Sequence, residues 1–228
     1  MKAPLLIVAA TAMEVEPLLK QLNLNCSDSL AFLKSYYKNI PIHILITGIG
    51  LLPMTHHLTV TLSKEKYYGV VNAGIAGAVD SLLKNGDVVV VSHDCLPEIA
   101  LDTLSGLQPL QLPLSIPVNT ITTSFEVQKP IISSVLLSLP QTTGITVQTV
   151  TGTANKLEFL RRTYKPGTES MEGAAFLYVC NAFNLPCVQL RGISNPAGCN
   201  NKAQWDIRLA IENLCATLNL FLEEMAEA

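Results

Sequence analysis

ESMEGAAFLYVCNAFNLPCVQLRGISN, residues 169–195, carries the pattern on which the fold turns. A carboxylate, Glu172, opens an apolar helix. Asn184-Leu185-Pro186 makes a short turn, Pro186–Arg191 reads as a buried strand, and the chain then turns polar through Ser194 to Asn195. A strand apolar on both faces, fed by a helix, belongs to a sheet covered on both sides. Ligands in such sheets sit beyond the carboxyl ends of the strands. Glu172 and Asn195 are therefore expected to meet in space.

Outward from this segment the same alternation repeats. Strand-like runs fall at Leu5–Ala10, His43–Thr47, Val70–Ala73, Asp87–Ser92 and Ile145–Val150. Helix-like stretches fall near 14–22, 53–65, 126–138, 155–163, 172–184 and 204–226. The alternation predicts one α/β domain over residues 1–228, with a largely parallel sheet flanked by helices. Phe32–Lys38 and His43–Thr47, joined by Asn39-Ile40-Pro41, read as a hairpin, so the sheet is expected to be mixed. Residues 93–120, with Pro97, Pro109, Pro113 and Pro117, form the one long irregular stretch, the kind of segment that serves function or an interface.

Composition narrows the class of protein. Hydrophobic residues make up 49% and charged ones 14%, so much of the chain must be buried. Runs such as Leu5–Ala10 and Val88–Val91 fall far short of the ~20 residues a bilayer span needs, so no membrane is expected. A net charge of −3 without a Lys/Arg cluster argues against nucleic acid. The six cysteines are scattered without C-x-x-C or a histidine at metal spacing, which favours free thiols in a reducing cytoplasm over disulfides or a metal site. Lys2 and the apolar stretch ending Ala10-Thr11-Ala12 imitate a secretory leader, but the apolar core is short and makes a good first strand.

Two glycine turns follow strands, Thr47-Gly48-Ile49-Gly50 and Asn72-Ala73-Gly74-Ile75-Ala76-Gly77. Glycine there allows close approach of backbone to ligand, although a plain tight turn reads the same way. Neither is a dinucleotide or P-loop fingerprint. No G-x-S-x-G elbow is present, and the four histidines show no partner pattern. Glu14 and Glu16 follow the first strand, where the helix dipole alone accounts for acidic residues; that account is expected to cover Glu14.

The ordered set is more specific than any member. Ala-Met-Glu-Val-Glu after the first strand, Thr-Gly-Ile-Gly, Asn-Ala-Gly-Ile-Ala-Gly, Ser-Met-Glu-Gly-Ala-Ala and Arg-Gly-Ile-Ser-Asn together span nearly the whole chain. In that order they resemble the purine nucleoside phosphorylase and nucleosidase superfamily, and within it the futalosine hydrolase and methylthioadenosine/S-adenosylhomocysteine nucleosidase groups. The resemblance implies that Glu16 activates the attacking water, that Met171 packs on the ribose and that Glu172 holds the ribose hydroxyls. It places Trp205 near the purine and the 5′ group, Thr153 and Ala154 along the base, and Met13, Ile49, Gly74 and Ser194 around the substrate. It implies no cofactor and no metal, and a homodimer in which a partner loop from 93–120 closes the 5′ pocket.

The chemistry suits these residues. Breaking an N-glycosidic bond builds positive charge on the ribose while water attacks from the opposite face. A carboxylate at Glu16 can deprotonate that water if burial raises its pKa, and an ionised Glu172 can stabilise the cation. The adenine-releasing nucleosidases have Asp where this chain has Asn195. An amide cannot be a general acid, but it can donate N–H bonds towards N7 and a 6-carbonyl. That pattern favours a 6-oxopurine nucleoside such as futalosine. With no Arg or Lys in the Ala9–Met13 turn or the Gly74–Val79 loop to clamp phosphate, water is the expected nucleophile; Lys20, Arg161 and Arg162 are the cations that would have to fold in. The expectation is thus a cytoplasmic nucleosidase releasing hypoxanthine in futalosine-dependent menaquinone biosynthesis. A methylthioadenosine/S-adenosylhomocysteine or inosine nucleosidase is the near alternative, and a non-catalytic nucleotide-binding module the distant one.

Overall fold

The computed structural model describes residues 3–26, 30–103, 106–109, 123–199 and 201–227. In chain order the elements are β1 (Leu5–Ala9), a 3-10 turn (Ala12–Val15), α1 (Glu16–Gln21), β2 (Ala31–Tyr37), β3 (Ile40–Ile46), α2 (Leu51–Lys64), β4 (Gly69–Ala78) and β5 (Val88–Cys95). There follow β6 (Ala100–Thr103), β7 (Gly106–Pro109), β8 (Ser124–Glu126), α3 (Ser134–Ser138), β9 (Gln141–Thr146), α4 (Ala154–Tyr164), β10 (Thr168–Ser170), α5 (Gly173–Ala182), β11 (Cys187–Pro196) and α6 (Ile207–Glu227).

The main sheet runs β10-β9-β5-β11-β4-β1-β3-β2, with β8 on β5. β1 lies parallel to β3 and β4, β4 parallel to β11, and β9 parallel to β5 and β10, whereas β2, β8 and the β5–β11 pair are antiparallel. This is the mixed, largely parallel α/β sheet the alternation predicts. Thr168 and Glu169 also pair antiparallel with Ala78 and Gly77, so β10 closes a circuit through β9, β5, β11 and β4. That closure gathers the ends of β4, β10 and β11 around one cavity.

Strand β1 explains why the sheet is covered twice. Its side chains alternate, sending Leu5 and Ile7 to one face and Leu6 and Val8 to the other, and all are buried. The first face packs with Ile42, Ile44, Leu214, Leu218 and Phe221, the last three from α6. The second packs with Met54 and Leu58 of α2 and with Phe176 and Leu177 of α5.

Three expectations shift. The helix expected over 126–138 shrinks to Ser134–Ser138, because Pro130 interrupts the segment and bridges to Cys187 while Ser124–Glu126 pairs with β5. The strand expected at Ile145–Val150 ends at Thr146, and its remaining apolar residues Val147 and Val150 face the cavity instead of a sheet neighbour. In the stretch 93–120, β5 continues to Cys95 and a β6–β7 hairpin follows; residues 104–105 and 110–120 lie outside the described residues.

Candidate active site

A cavity of about 260 Å³ opens at the carboxyl ends of β1, β4 and β11 and beside β10. Most of its wall is apolar, with Met13 and Ile49 half-exposed at its mouth and Val147, Val150, Met171 and Trp205 around it. The polar groups facing it are few: Thr11, Glu14, Glu169, Ser170, Glu172, Ser194 and Asn195. An apolar wall with a few convergent polar groups is the usual form of a small-molecule site.

Glu14 is the first correction. It stands in the 3-10 turn after β1, only 6% exposed, and lines the cavity. Its Oε2 accepts from the Thr11 backbone N–H at 2.9 Å and from the Thr11 hydroxyl at 3.2 Å, and its Oε1 accepts from the Ile75 N–H at 3.1 Å. Glu16, the expected water-activating residue, opens α1 with its side chain 57% exposed and pairs with Lys20 at 2.8 Å. Residues two apart in a helical turn point to opposite sides, so only one of the two carboxylates can face inward.

Glu172 sits where expected, immediately before α5 and 7% exposed. Its Oε1 accepts from the Gly50 N–H at 2.8 Å. Gly50 has φ +98°, a conformation in which glycine pays no steric penalty, so the Thr47–Gly50 turn can aim its N–H at the carboxylate. Burial pushes the Glu172 carboxyl above the ordinary carboxylate range, with Arg191 opposing that rise and Glu14 adding to it.

Arg191 was not foreseen as a site residue. It is 1% exposed in the middle of β11, and its guanidinium donates to the Asn72 side-chain carbonyl and, at 3.0 Å, to Gln189 Oε1. Burial lowers its pKa, while Glu172, Glu14 and Asp94 hold the charge on it. It does not line the cavity, and the charges of Glu172 and Glu14 both act on it. Gly74 makes that possible: a Cβ there would stand 3.0 Å from Glu14 Oε1 and closer still to Arg191 Nη1. Gly74 thus belongs to the site as the gap through which Glu14 and Arg191 approach each other, not as a cavity-lining residue.

Beneath Arg191, Asp94 accepts from Thr146 Oγ1 at 2.8 Å and from Gln189 Nε2 at 3.1 Å. Full burial pushes its pKa up to about 6 against those two hydrogen bonds and the Arg191 charge. Thr146 Oγ1 in turn accepts from the Ala174 N–H in the first turn of α5, tying this network to the helix that Glu172 precedes.

Asn195 and Ser194 end β11 beside a register shift between Ile193 and Asn195, the kind of bulge that re-aims side chains. The amide is held at both ends: Oδ1 accepts from the Ser194 hydroxyl at 2.8 Å and Nδ2 donates to the Pro196 carbonyl at 3.0 Å. A carbonyl oxygen only accepts, which fixes the nitrogen at that end. One N–H remains for a ligand, where the sequence reading assigned two. Met13, Ile49, Met171, Ser194, Asn195 and Trp205 all line the cavity, Trp205 with its Nε1 donating to the Cys199 carbonyl at 3.3 Å. Thr153 and Ala154 do not. Thr153 caps α4, accepting from the Lys156 N–H at 3.3 Å, and both residues are exposed.

No Lys or Arg lines the cavity among the described residues. Lys20 pairs with Glu16, Arg161 donates to the Val79 carbonyl and Arg162 pairs with Glu158. Among the described residues no group of three His, Cys, Asp or Glu could hold a metal, and no helix is long and apolar enough to cross a membrane.

Comparison with known proteins agrees with this architecture. The chain is 28% identical over 183 residues to the futalosine hydrolase of Thermus thermophilus, covering 79% of this chain and 80% of that one. It is 26% identical over 230 residues to the 5′-methylthioadenosine/S-adenosylhomocysteine nucleosidase of Tolumonas auensis, covering 96% and 98%. The crystal structure of the 5′-methylthioadenosine/S-adenosylhomocysteine nucleosidase from Helicobacter pylori with butyl-thio-DADMe-Immucillin-A superposes with a TM-score of 0.79 at 21% identity, covering 98% of this chain and 99% of that one, a likeness of fold. The model of the phosphorylase superfamily matches residues 4–225, and the chain belongs to that family.

Proposed function

We propose that the protein is a nucleosidase that hydrolyses the N-glycosidic bond of a 6-oxopurine nucleoside, futalosine, and releases hypoxanthine. The observation that carries this reading is the pairing of two buried carboxylates, Glu14 and Glu172, on a cavity whose remaining end holds an amide, Asn195, in place of an acid. Glu14 takes the proton of the attacking water as its oxygen bonds to C1′ and the C1′–N9 bond breaks. Glu172 has one oxygen on the Gly50 N–H and offers the other to the ribose hydroxyls, orienting the sugar and stabilising its developing positive charge. The buried Arg191 charge opposes the rise that burial imposes on the Glu172 carboxyl. The departing purine receives a hydrogen bond from the free Asn195 N–H and takes its proton from solvent, because an amide cannot supply one. The absence of a cation among the described cavity residues favours water over phosphate as the nucleophile.

The futalosine hydrolase relatives support this substrate and a place in menaquinone biosynthesis from futalosine. The reaction needs neither metal nor cofactor and belongs in the cytoplasm. This reading also carries a homodimer, the assembly the sequence resemblance implies. A second reading, release of adenine from 5′-methylthioadenosine, is favoured by the apolar Met13, Ile49 and Met171 wall, which suits an alkylthio group, and by the near-full-length nucleosidase relatives. Base release from futalosine, inosine and 5′-methylthioadenosine, with and without phosphate and in ¹⁸O-water, tests the proposal. Phosphate-independent hypoxanthine release with ¹⁸O at C1′ is expected; a sugar 1-phosphate or adenine as the main product would overturn it.

A further inference from the structure

Two polar side chains of the cavity, Ser170 and Glu169, are left unused by the hydrolytic chemistry, and Glu169 is the one with a carboxylate. Glu169 is 5% exposed and lines the cavity, yet only one of its oxygens is engaged, Oε1 accepting from the Thr151 N–H at 2.8 Å. Oε2 is buried without a hydrogen-bond partner. A buried carboxylate oxygen left without a donor is rare enough in folded proteins to call for one. Its position says which. In the sheet Glu169 pairs with Gly77 from one side and Asn195 pairs with Gly77 from the other, so the three stand in one row across β10, β4 and β11. Residues in one row point to the same face, and Glu169 and Asn195 both do so into the cavity. Gly77 between them contributes no side chain, and a Cβ there would already touch Asn195 Nδ2 at 3.4 Å. The row is therefore a donor and an acceptor separated by a bare floor.

The two ends have fixed and opposite polarity. Asn195 has one N–H left to give, and an ionised Glu169 can only accept. The edge of a 6-oxopurine runs acceptor, acceptor, donor through N7, O6 and N1–H. The edge of adenine runs acceptor, donor, acceptor through N7, the 6-amino group and N1. With Asn195 at the N7 end and Glu169 two strand spacings away at the N1 end, only the first sets a donor against the Glu169 acceptor. We propose that Glu169 is the specificity-determining residue of the site, accepting the N1–H of a 6-oxopurine while Asn195 donates to the N7/O6 end. This assignment rests on the nucleosidase reading and specifies how its leaving base is chosen. The Thr151 N–H gives the proposal a sharp consequence. In a Glu169→Gln variant that N–H holds the amide oxygen, so the amide NH₂ is what turns to the cavity. An acceptor becomes a donor, matched to adenine N1.

Binding of free bases by calorimetry tests this without turnover. The unaltered protein is expected to bind hypoxanthine more tightly than adenine, and to bind 1-methylhypoxanthine, which lacks the N1–H, ~10²-fold or more weakly. Glu169→Gln is expected to lower the hypoxanthine-to-adenine affinity ratio by ~10²-fold or more. If the unaltered protein prefers hypoxanthine but tolerates 1-methylation, the Glu169 assignment is wrong and the hydrolase reading stands. A folded Glu169→Gln variant with an unchanged ratio has the same meaning. If the unaltered protein prefers adenine, the 6-oxopurine reading itself falls. The 1-methylhypoxanthine arm decides the matter even where the variant does not fold.

Discussion

Exchanging Glu14 and Glu16 for glutamine, one at a time, separates the two acidic residues that the sequence presents as near equivalents. Glu14 accepts hydrogen bonds from two backbone N–H groups and one hydroxyl, spread over both carboxylate oxygens. Glutamine keeps one acceptor oxygen, so either the Thr11 or the Ile75 N–H would face an NH₂. A buried donor left without a partner costs about 1–3 kcal/mol. Against a typical domain stability of about 5–15 kcal/mol, the variant stays folded with a lowered melting temperature. Loss of the base that deprotonates water lowers kcat by ~10²–10⁴-fold. Glu16→Gln removes only an exposed pair with Lys20, so stability should move by no more than about 0.5 kcal/mol and turnover should not change. Base release from futalosine, followed by chromatography beside a thermal melt of each variant, reads both quantities. If Glu16→Gln abolishes turnover while Glu14→Gln leaves it intact, the placement of the water-activating carboxylate is wrong.

Other consequences follow from the surrounding residues. Gly74→Ala drives a methyl group between Arg191 and Glu14; turnover is expected to drop at least ~10-fold while the far-ultraviolet circular dichroism is kept, as a misplacement on the ångström scale suffices for such a loss. In the proposed mechanism Glu172 is ionised where it holds the ribose hydroxyls, and its pKa is raised by burial. The acid limb of kcat/KM should therefore lie above the ordinary carboxylate range, with activity lost as pH falls through it. An acid limb at the ordinary carboxylate value would contradict that burial. Asp94 carries a linked effect on stability. Its folded pKa of about 6 exceeds the ordinary 3.8, so the folded state keeps a proton that the unfolded chain has lost, and stability falls as pH rises through that window. The difference corresponds to on the order of 3 kcal/mol, and denaturant titrations across the window should show this slope flattened in Asp94→Asn.

The central strands β1, β3, β4 and β11 were legible because each is apolar on both faces, and the segment 169–195 folds into the helix, turn and strand its pattern dictates. What the pattern could not carry was the facing of side chains in short turns. The dipole argument applied equally to Glu14 and Glu16. Thr11-Ala12-Met13-Glu14 has the T-x-x-E spacing with which a carboxylate reaches back to the start of its own turn, and that spacing singles out Glu14. Arg191 also left a trace: an arginine inside the run Cys187–Ile193 cannot reach water if the strand is covered on both faces, so it has to find buried partners. Thr153 and Ala154 were placed on the cavity by carrying motif spacing through 147–153, where β9 stops at Thr146 and the loop puts Val147 and Val150 on the cavity instead. Glu169 is adjacent to the motif and invisible in it, because its role depends on the closure of β10 onto β4, a pairing no local pattern encodes.

The central claim is that this cavity cleaves a 6-oxopurine nucleoside with water. Equal concentrations of futalosine and 5′-methylthioadenosine offered together to the purified protein test it most directly, because the ratio of released bases is the ratio of kcat/KM values. The account predicts hypoxanthine in excess of adenine by ~10²-fold or more, the discrimination a site of fixed hydrogen-bond polarity provides. Adenine released while futalosine stays intact would contradict it.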